Sequence, residues 1–547
     1  MTSTHAKRRK GTAGHVAAVK LTRSQGLMST WRGWVLGSAV AAIVTLLYAI
    51  LVGYVALLPA VTVPLMTGAL VGLLIGEVVP ALAWGALSGL AGSMVASLVF
   101  APEAFGQSLS NMQPWMRPDI LNSAFQSLYN LVAANQINTT FGAQARPLFV
   151  LIALVISGLA AAGVAYVCRS EVKYRRVVEW SVVGLACACM IFSTYAGSAD
   201  LRAQMGVEPS DGAYAYDPVF NLRTYYLMRD GQGFYPSYIY SIAKDKRYIE
   251  QDMLQDGKMV GGSASMAREP LAFFVWTIVG FRSPNGILWF SMLCAAGVMA
   301  LGYAAFAKPL GSCALLVPLS LLPAMLLHGM WLNILFPDWW GALAFMASAF
   351  TLAMGRWRTS IALGVAAALF RELFCVWLIV AAIASWAQAI RDRAVIRQAS
   401  GFSAGLIVAL VGYYVHVMVG SRFMVDSASA GAGVLAVMKG TLAQPLMTKA
   451  WPAVYYLMTP YFMTVVSPAI LLVTGTAGFL VVGMPRSARL ALAGYIVVTA
   501  AMYFTVGTHS SYWGQDVMPF AVAGSAVLVG IGLVRLMPPD SRPVPLD

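Results

Sequence analysis

Residues 217–240 read DPVFNLRTYYLMRDGQGFYPSYIY. They are the heart of the longest polar interval between apolar runs, Asp200 to Pro270. That interval carries Asp200, Glu208, Asp211, Asp217, Asp230, Asp245, Glu250, Asp252, Asp256 and Glu269, out of 22 acidic residues in the whole chain. Gly231-Gln232-Gly233 is a turn signal that closes a helix of about 12 residues opening near Asp217. An acid at the start of a helix is kept ionised by the positive end of the helix dipole. An ionised carboxylate at a lipid–water boundary is a candidate general base, which singles out Asp217. Phe220, Tyr225, Tyr226, Phe234, Tyr235 and Tyr238 crowd the same segment. Such rings form an interfacial belt at a membrane surface.

Outward from this loop the chain is almost entirely hydrocarbon-compatible. Of 547 residues, 59% are hydrophobic and 11% charged, against about 25% charged in soluble domains. The sequence therefore predicts an all-α polytopic membrane protein. Its net charge of +14 lies in short Lys/Arg clusters between apolar runs, the positive-inside pattern rather than a nucleic-acid surface. The cysteines all lie in or beside apolar runs, so no disulfide framework is indicated. Cys187-Ala-Cys189 reads as small core packing.

In chain order, residues 1–33 form a basic tail without an acid, expected in the cytoplasm and touching anionic lipid. Spans follow at about 34–58, 61–77, 80–100 and 147–168, making a unit over 34–177 with an external loop at 101–146. Its Gly- and Ala-rich second and third spans predict close helix packing. A fifth span, 178–196, delivers the external loop 197–285. Nine more are expected at about 286–307, 309–327, 340–354, 359–370, 373–389, 403–421, 460–482, 487–505 and 517–535, before a cytoplasmic tail at 536–547. Lys308, Arg356 and Arg358, Arg391 to Arg397, Arg486 and Arg489, and Arg535 fall in alternate turns. That alternation gives about 14 spans with both termini inside.

The same alternation puts Asp217, Glu269, His328, Asp338, Arg371, Glu372 and His509 on one external face. Charges at membrane depth are costly and mark a pathway or a site. Arg371-Glu372, in ALFRELFCVW, separates two apolar pieces each short for a crossing. They read as a broken or re-entrant pair whose tip bears the charges. The plainer alternative is an Arg–Glu pair that holds two helices together.

The order of these segments resembles the GT-C superfamily of polytopic membrane glycosyltransferases. An acid outside an early span, aromatics, then a Gly and Tyr-bearing close correspond to Asp217, Tyr225/Tyr226, Gly231 and Phe234-Tyr235. REPLAFFVWTIVGFRSPNG (Arg268–Gly286) looks like the second juxtamembrane element of that family. FRE at Phe370–Glu372 resembles its short Arg-Glu motif, and YWGQDVMP (Tyr512–Pro519) its polar lead-in to a late span. The resemblance covers about 178–535 and leaves 1–177 unexplained. Asp217 lies farther from its span than the family's acid does, so Asp200 and Asp211 are alternatives for the base.

The resemblance implies transfer of a sugar from a polyprenyl-phosphate donor to an envelope glycan or lipid acceptor, with inversion, on the external face of a bacterial inner membrane. A phosphate leaving group needs cations rather than a proton donor. Arg371, Arg268, Arg282, His328 and His509 are the candidates for that role. Glu372, Glu269, Asp338, Tyr225, Tyr226 and Tyr235 are supporting residues. No cofactor is implied, and a divalent cation is left open. The competing readings are a transporter or flippase of a lipid-linked or small polar solute, a glycan polymerase, and a non-catalytic envelope scaffold.

Overall fold

The computed structural model describes residues 31–54, 59–99, 146–170, 172–198, 202, 217–244, 254–255, 258–259, 270–329, 334–423, 468–506 and 516–537. Within them the regular structure is helical, apart from a two-residue antiparallel pair, β1 (Leu254–Gln255) with β2 (Lys258–Met259). Among the described residues, seven helical stretches are long and apolar enough to cross a membrane, including Asn285–Leu326 and Arg393–Gly420. Shorter apolar helices include Val61–Ile75 and Trp357–Phe370. The all-helical class read from the sequence holds, and the long apolar helices are compatible with a membrane protein.

The first four helices are α1 (Trp31–Tyr54), α2 (Pro59–Ile75), α3 (Val78–Val99) and α4 (Arg146–Ser170). Helices α2 and α3 both pack along α4. A Cβ on Gly68 would strike the Ser157 carbonyl, and one on Gly72 the Ala161 carbonyl. Glycine there lets backbones touch, and dispersion and close fit then hold helices that have no hydrophobic drive to associate in lipid. The predicted tight unit is observed. The loop 101–146 lies outside the described residues, apart from Arg146, the first residue of α4.

Helix α5 (Val172–Gly197) starts earlier than the expected 178. The helix therefore takes in Arg175 and Glu179, an i,i+4 pair at 3.5 Å. Three short helices follow: α6 (Asp217–Arg229), α7 (Phe234–Ala243) and α8 (Leu271–Val279). Helix α6 ends as the sequence predicted. Gly231 takes φ +94°, and the Gln232 N–H reaches back to the Leu227 carbonyl at 3.0 Å, the six-to-one bond of a Schellman close.

The remaining helices are α9 (Asn285–Leu310), α10 (Leu316–Gly329), α11 (Pro337–Ala353), α12 (Trp357–Phe370), α13 (Cys375–Ala389), α14 (Ile396–Gly420), α15 (Pro468–Val481), α16 (Arg486–Val506) and α17 (Met518–Leu536). Helix α14 begins at Ile396 rather than 403, and 460–467 of the expected twelfth span fall outside the described residues.

Cross-links sort the helix ends into two groups. At one end, Arg175 Nε donates to Ser312 Oγ at 2.7 Å, joining the start of α5 to the α9–α10 turn. Also there, Gln398 of α14 donates to Ser487 of α16, whose own N–H bonds Gln388 of α13. The turns of this end hold Lys308, Arg391, Arg393, Arg397, Arg486 and Arg489; it is the basic end. The starts of α11 and α13 and the close of α12 meet at the other.

Candidate active site at the helix break

Helix α12 has 14 residues and would span about 21 Å at 1.5 Å per residue, short of the roughly 30 Å of a bilayer core. It stops at Phe370. Arg371 is extended (φ −156°, ψ 124°), a 3₁₀ turn covers Glu372–Phe374, and α13 departs from Cys375. The Arg371 N–H still bonds the Ala367 carbonyl at 3.0 Å, and the Phe374 N–H bonds the Arg371 carbonyl at 3.0 Å. Those bonds satisfy the backbone at a break that would otherwise leave groups orphaned. The two helices meet at the charged Arg371-Glu372 turn as expected, but only Trp357–Phe370 is short for a crossing; Glu372–Ala389 is long and apolar enough to cross.

The partner of Arg371 differs from the expected one. Its Nε lies 3.0 Å from Asp338 Oδ1, while Nη1 lies 3.6 Å from Glu372 Oε1. The main ion pair is therefore between Arg371 and α11, and the sequence neighbour is secondary. Asp338 follows Pro337 in the first turn of α11, where the helix dipole favours a carboxylate. It is fully buried, and Arg371 is only 8% exposed. Burying such a pair costs several kcal/mol per ion before their attraction repays it. A pair held at that expense at a chain break is a site candidate.

Beneath the tip, Phe345, Phe374, Trp377, Tyr495 and Phe520 form one aromatic packing from α11, the 3₁₀ turn, α13, α16 and α17. Their ring centroids lie 4.0 to 5.8 Å apart, so the rings pack the break against α11, α16 and α17. Asp516, just before α17, is buried beside them, and its carbonyl accepts from Tyr495 Oη at 3.1 Å.

The short helices close over this end. Asn221 Nδ2 donates to the Leu335 carbonyl at 2.7 Å, three residues ahead of Asp338. Asp217 lies one turn before Asn221 on α6, so its backbone belongs to the same end as Asp338 and Arg371. Tyr225 Oη donates to the Gly280 carbonyl at 2.8 Å, tying α6 to the close of α8. Arg223 is buried and donates to the Ser241 carbonyl at 3.3 Å, tying α6 to α7. Tyr235 Oη meets both the Nδ1 and the carbonyl oxygen of His416 on α14, at 2.6 and 2.8 Å. Burial pushes the Tyr235 phenol up to about 12 and raises that of Tyr225.

No family model matches the chain, and no curated protein or solved structure matches it either. The geometry alone therefore bears on the site.

Of the sequence-predicted residues, Arg371, Glu372 and Asp338 come together. Tyr225 and Tyr226 do not offer ring faces to a sugar: both are buried, and Tyr226 is covered by the Arg229 guanidinium at 4.7 Å. Short apolar helices at a polar end bury their rings against one another, because that is their only core. Tyr235 is half-buried between His416 and Phe423, stacked on both. Arg282 is exposed. Of Asp217 and His328 the backbone alone is described; Asp200, Asp211, Arg268, Glu269 and His509 lie outside the described residues. Among the described residues no three His, Cys, Asp or Glu side chains group as a metal site.

The sequence reading missed Asn221, Arg223, His416 and Glu179. Glu179 carried a signal, a lone carboxylate within an apolar run. It accepts from Tyr303 Oη at 2.7 Å and from Ser312 Oγ at the basic end.

Proposed function

We propose that the protein is a membrane glycosyltransferase that uses a lipid-phosphate sugar donor at the end bearing the Arg371 break. The single observation that carries this reading is the Arg371–Asp338 pair, a guanidinium buried at a helix break and held by a carboxylate on its Nε edge. Fixed in this way, an Arg presents a planar, pre-oriented fork suited to phosphate. On this reading the acceptor oxygen attacks the anomeric carbon while the carbon–oxygen bond to phosphate breaks. Asp217 takes the hydroxyl proton, the lipid phosphate leaves with the bonding electrons, and Arg371 neutralises its charge. In-line attack inverts the anomeric centre. The α6–α8 layer supports the reading, because the Asn221–Leu335 bond brings the backbone of Asp217 to the end that bears Arg371.

The same proposal takes about 14 crossings, with the basic end and both termini cytoplasmic by the positive-inside rule. A donor for the opposite face is then embedded in lipid. A reporter active only outside the cytoplasm should work when fused near Gly212 and fail near Arg393; activity at Arg393 would sink the assignment of sides.

The function is tested by purified protein in liposomes supplied with a radiolabelled polyprenyl-phosphate sugar and an extract of envelope lipids and glycans. Label should move to an acceptor and free polyprenyl phosphate accumulate. One further reading, a transporter, is favoured by the broken α12–α13 pair, since discontinuous helices also line solute sites. Solute counterflow without transfer would select it.

A further inference from the structure

Helix α6 buries Phe220, Leu222, Tyr225, Tyr226 and Met228. Apolar contacts of this kind are non-directional, so they hold a short helix without fixing its turn or its rotation. Hydrogen bonds do fix them. Thr224 Oγ1 lies 3.0 Å from Ser241 Oγ, and with Arg223 it ties α6 to α7, while Tyr225 ties it to α8. Asn221 reaches the lead-in to α11 instead, where its Nδ2 donates to the Leu335 carbonyl at 2.7 Å.

The point it reaches is itself fixed. Trp340 Nε1 donates to the Ile334 carbonyl and Trp339 Nε1 to Ser291 Oγ of α9, both at 2.8 Å. Both indoles are buried, and Trp340 packs on Phe370, the residue before Arg371. Asp338, which holds Arg371, lies in the same run. Leu335 thus belongs to the frame of the ion pair, and Asn221 bonds α6 to that frame.

The amide does more than fasten. A carbonyl only accepts, so Nδ2 is the atom that faces Leu335, and Oδ1 is left over. Asn221 is fully buried, and among the described residues its Oδ1 has no hydrogen-bond partner. A buried acceptor left unpaired lowers stability, so stability alone gives no reason for an amide here. Setting register is the best-attested use of a buried polar group kept at such a loss.

We propose that Asn221 is a positioning residue: its bond to Leu335 selects the turn of α6 that holds Asp217 in reach of an acceptor whose donor phosphate is bound at Arg371. The inference rests on the glycosyltransferase reading and deepens it, because the placement of the base is assigned to a buried residue away from substrate. Position 217 is four places before Asn221, one turn away on the same face of α6. A slip of one turn would carry it about 5 Å along the axis. Proton transfer needs hydrogen-bond reach and would not survive that slip.

The test measures transfer in liposomes from a radiolabelled polyprenyl-phosphate sugar to an envelope extract. The full chain is compared with Asn221→Leu, Asp217→Asn and the two combined. In Asn221→Leu, kcat should fall about 10²-fold, the loss that an ångström-scale misplacement can cause, with KM for the donor unchanged. Added to Asp217→Asn, the leucine should lower kcat no further, since the base it would misplace is already gone. A lower melting temperature with normal kcat is the mark of a structural role alone and overturns the inference. A multiplicative loss in the double variant also overturns it, since Asn221 then acts apart from Asp217. So does a raised KM at normal kcat, the sign of a donor contact. Should Asn221→Leu fail to fold, Asn221→Ser, with a hydroxyl too short for Leu335, is read by the same split. A parent chain that transfers no label contradicts the glycosyltransferase reading and takes this inference with it.

Discussion

The two ends of the bundle bury charge in different ways, and the contrast separates a fastening from a site. At the basic end, Glu179 sits inside a continuous helix and accepts from Tyr303 and Ser312, with Arg175 at 3.5 Å. Three side chains, Arg175 on α5, Tyr303 on α9 and Ser312 in the α9–α10 turn, satisfy one carboxylate, and the helix that carries it is not interrupted there. At the other end, Arg371 is buried where a helix breaks, next to two carboxylates and under three short helices. A closed knot between whole helices is sufficient to hold them together. A charge at a break interrupts the helical ladder as well as losing hydration, and packing alone gives no reason for it.

The largest expected effect lies at the break end. Asp217→Asn keeps the shape of the side chain and removes its ability to take a proton. Transfer should fall by about 10²–10⁴-fold, the usual worth of general-base catalysis, with donor binding intact. Near-normal transfer would move the base elsewhere, to Asp200 or Asp211 if either Asn variant is inactive instead.

At the basic end the effect should be on stability alone. Glu179→Gln weakens bonds to a charged acceptor, a loss on the order of 2 kcal/mol. Thermal melting in detergent should drop, while transfer per folded molecule stays the same. A variant that melts normally but does not transfer would make the basic end part of the chemistry and erase the contrast.

A smaller change sharpens the account of the cover. Tyr225→Phe removes one hydrogen bond, to the Gly280 carbonyl, worth about 1 kcal/mol. Hydrogen exchange in α6 and α8 should quicken while α12 and α13 keep their protection. Loosening that extends to α13 would mean that the cover and the break form one cooperative unit.

The sequence carried the helices well, because apolar runs and Lys/Arg alternation are local signals. It carried the close of α6 for the same reason, since Gly231-Gln232-Gly233 meets a backbone requirement within six residues. It also carried the break at Arg371, as two charges between two apolar pieces. The pairing of Arg371 with Asp338 was not legible, because the two are brought together by the α11–α12 hairpin rather than by spacing. Nor was the Tyr235–His416 contact, which joins residues 181 apart. The loop aromatics misled in a particular way. Composition shows that rings are present, but whether they line a cleft or pack on one another depends on how α6, α7 and α8 meet.

The central claim is that the Arg371 end is chemical and the Glu179 end is mechanical. Its most direct test is a side-by-side measurement of Arg371→Lys and Glu179→Gln in liposomes, reading sugar transfer and melting temperature on the same preparations. Lysine keeps the charge but cannot reproduce the planar fork. The account predicts that Arg371→Lys loses transfer with its melting temperature nearly unchanged, while Glu179→Gln melts lower and transfers normally. Loss of melting temperature and transfer together in Arg371→Lys, matching Glu179→Gln in kind, would contradict it and leave Arg371–Asp338 as a second fastening.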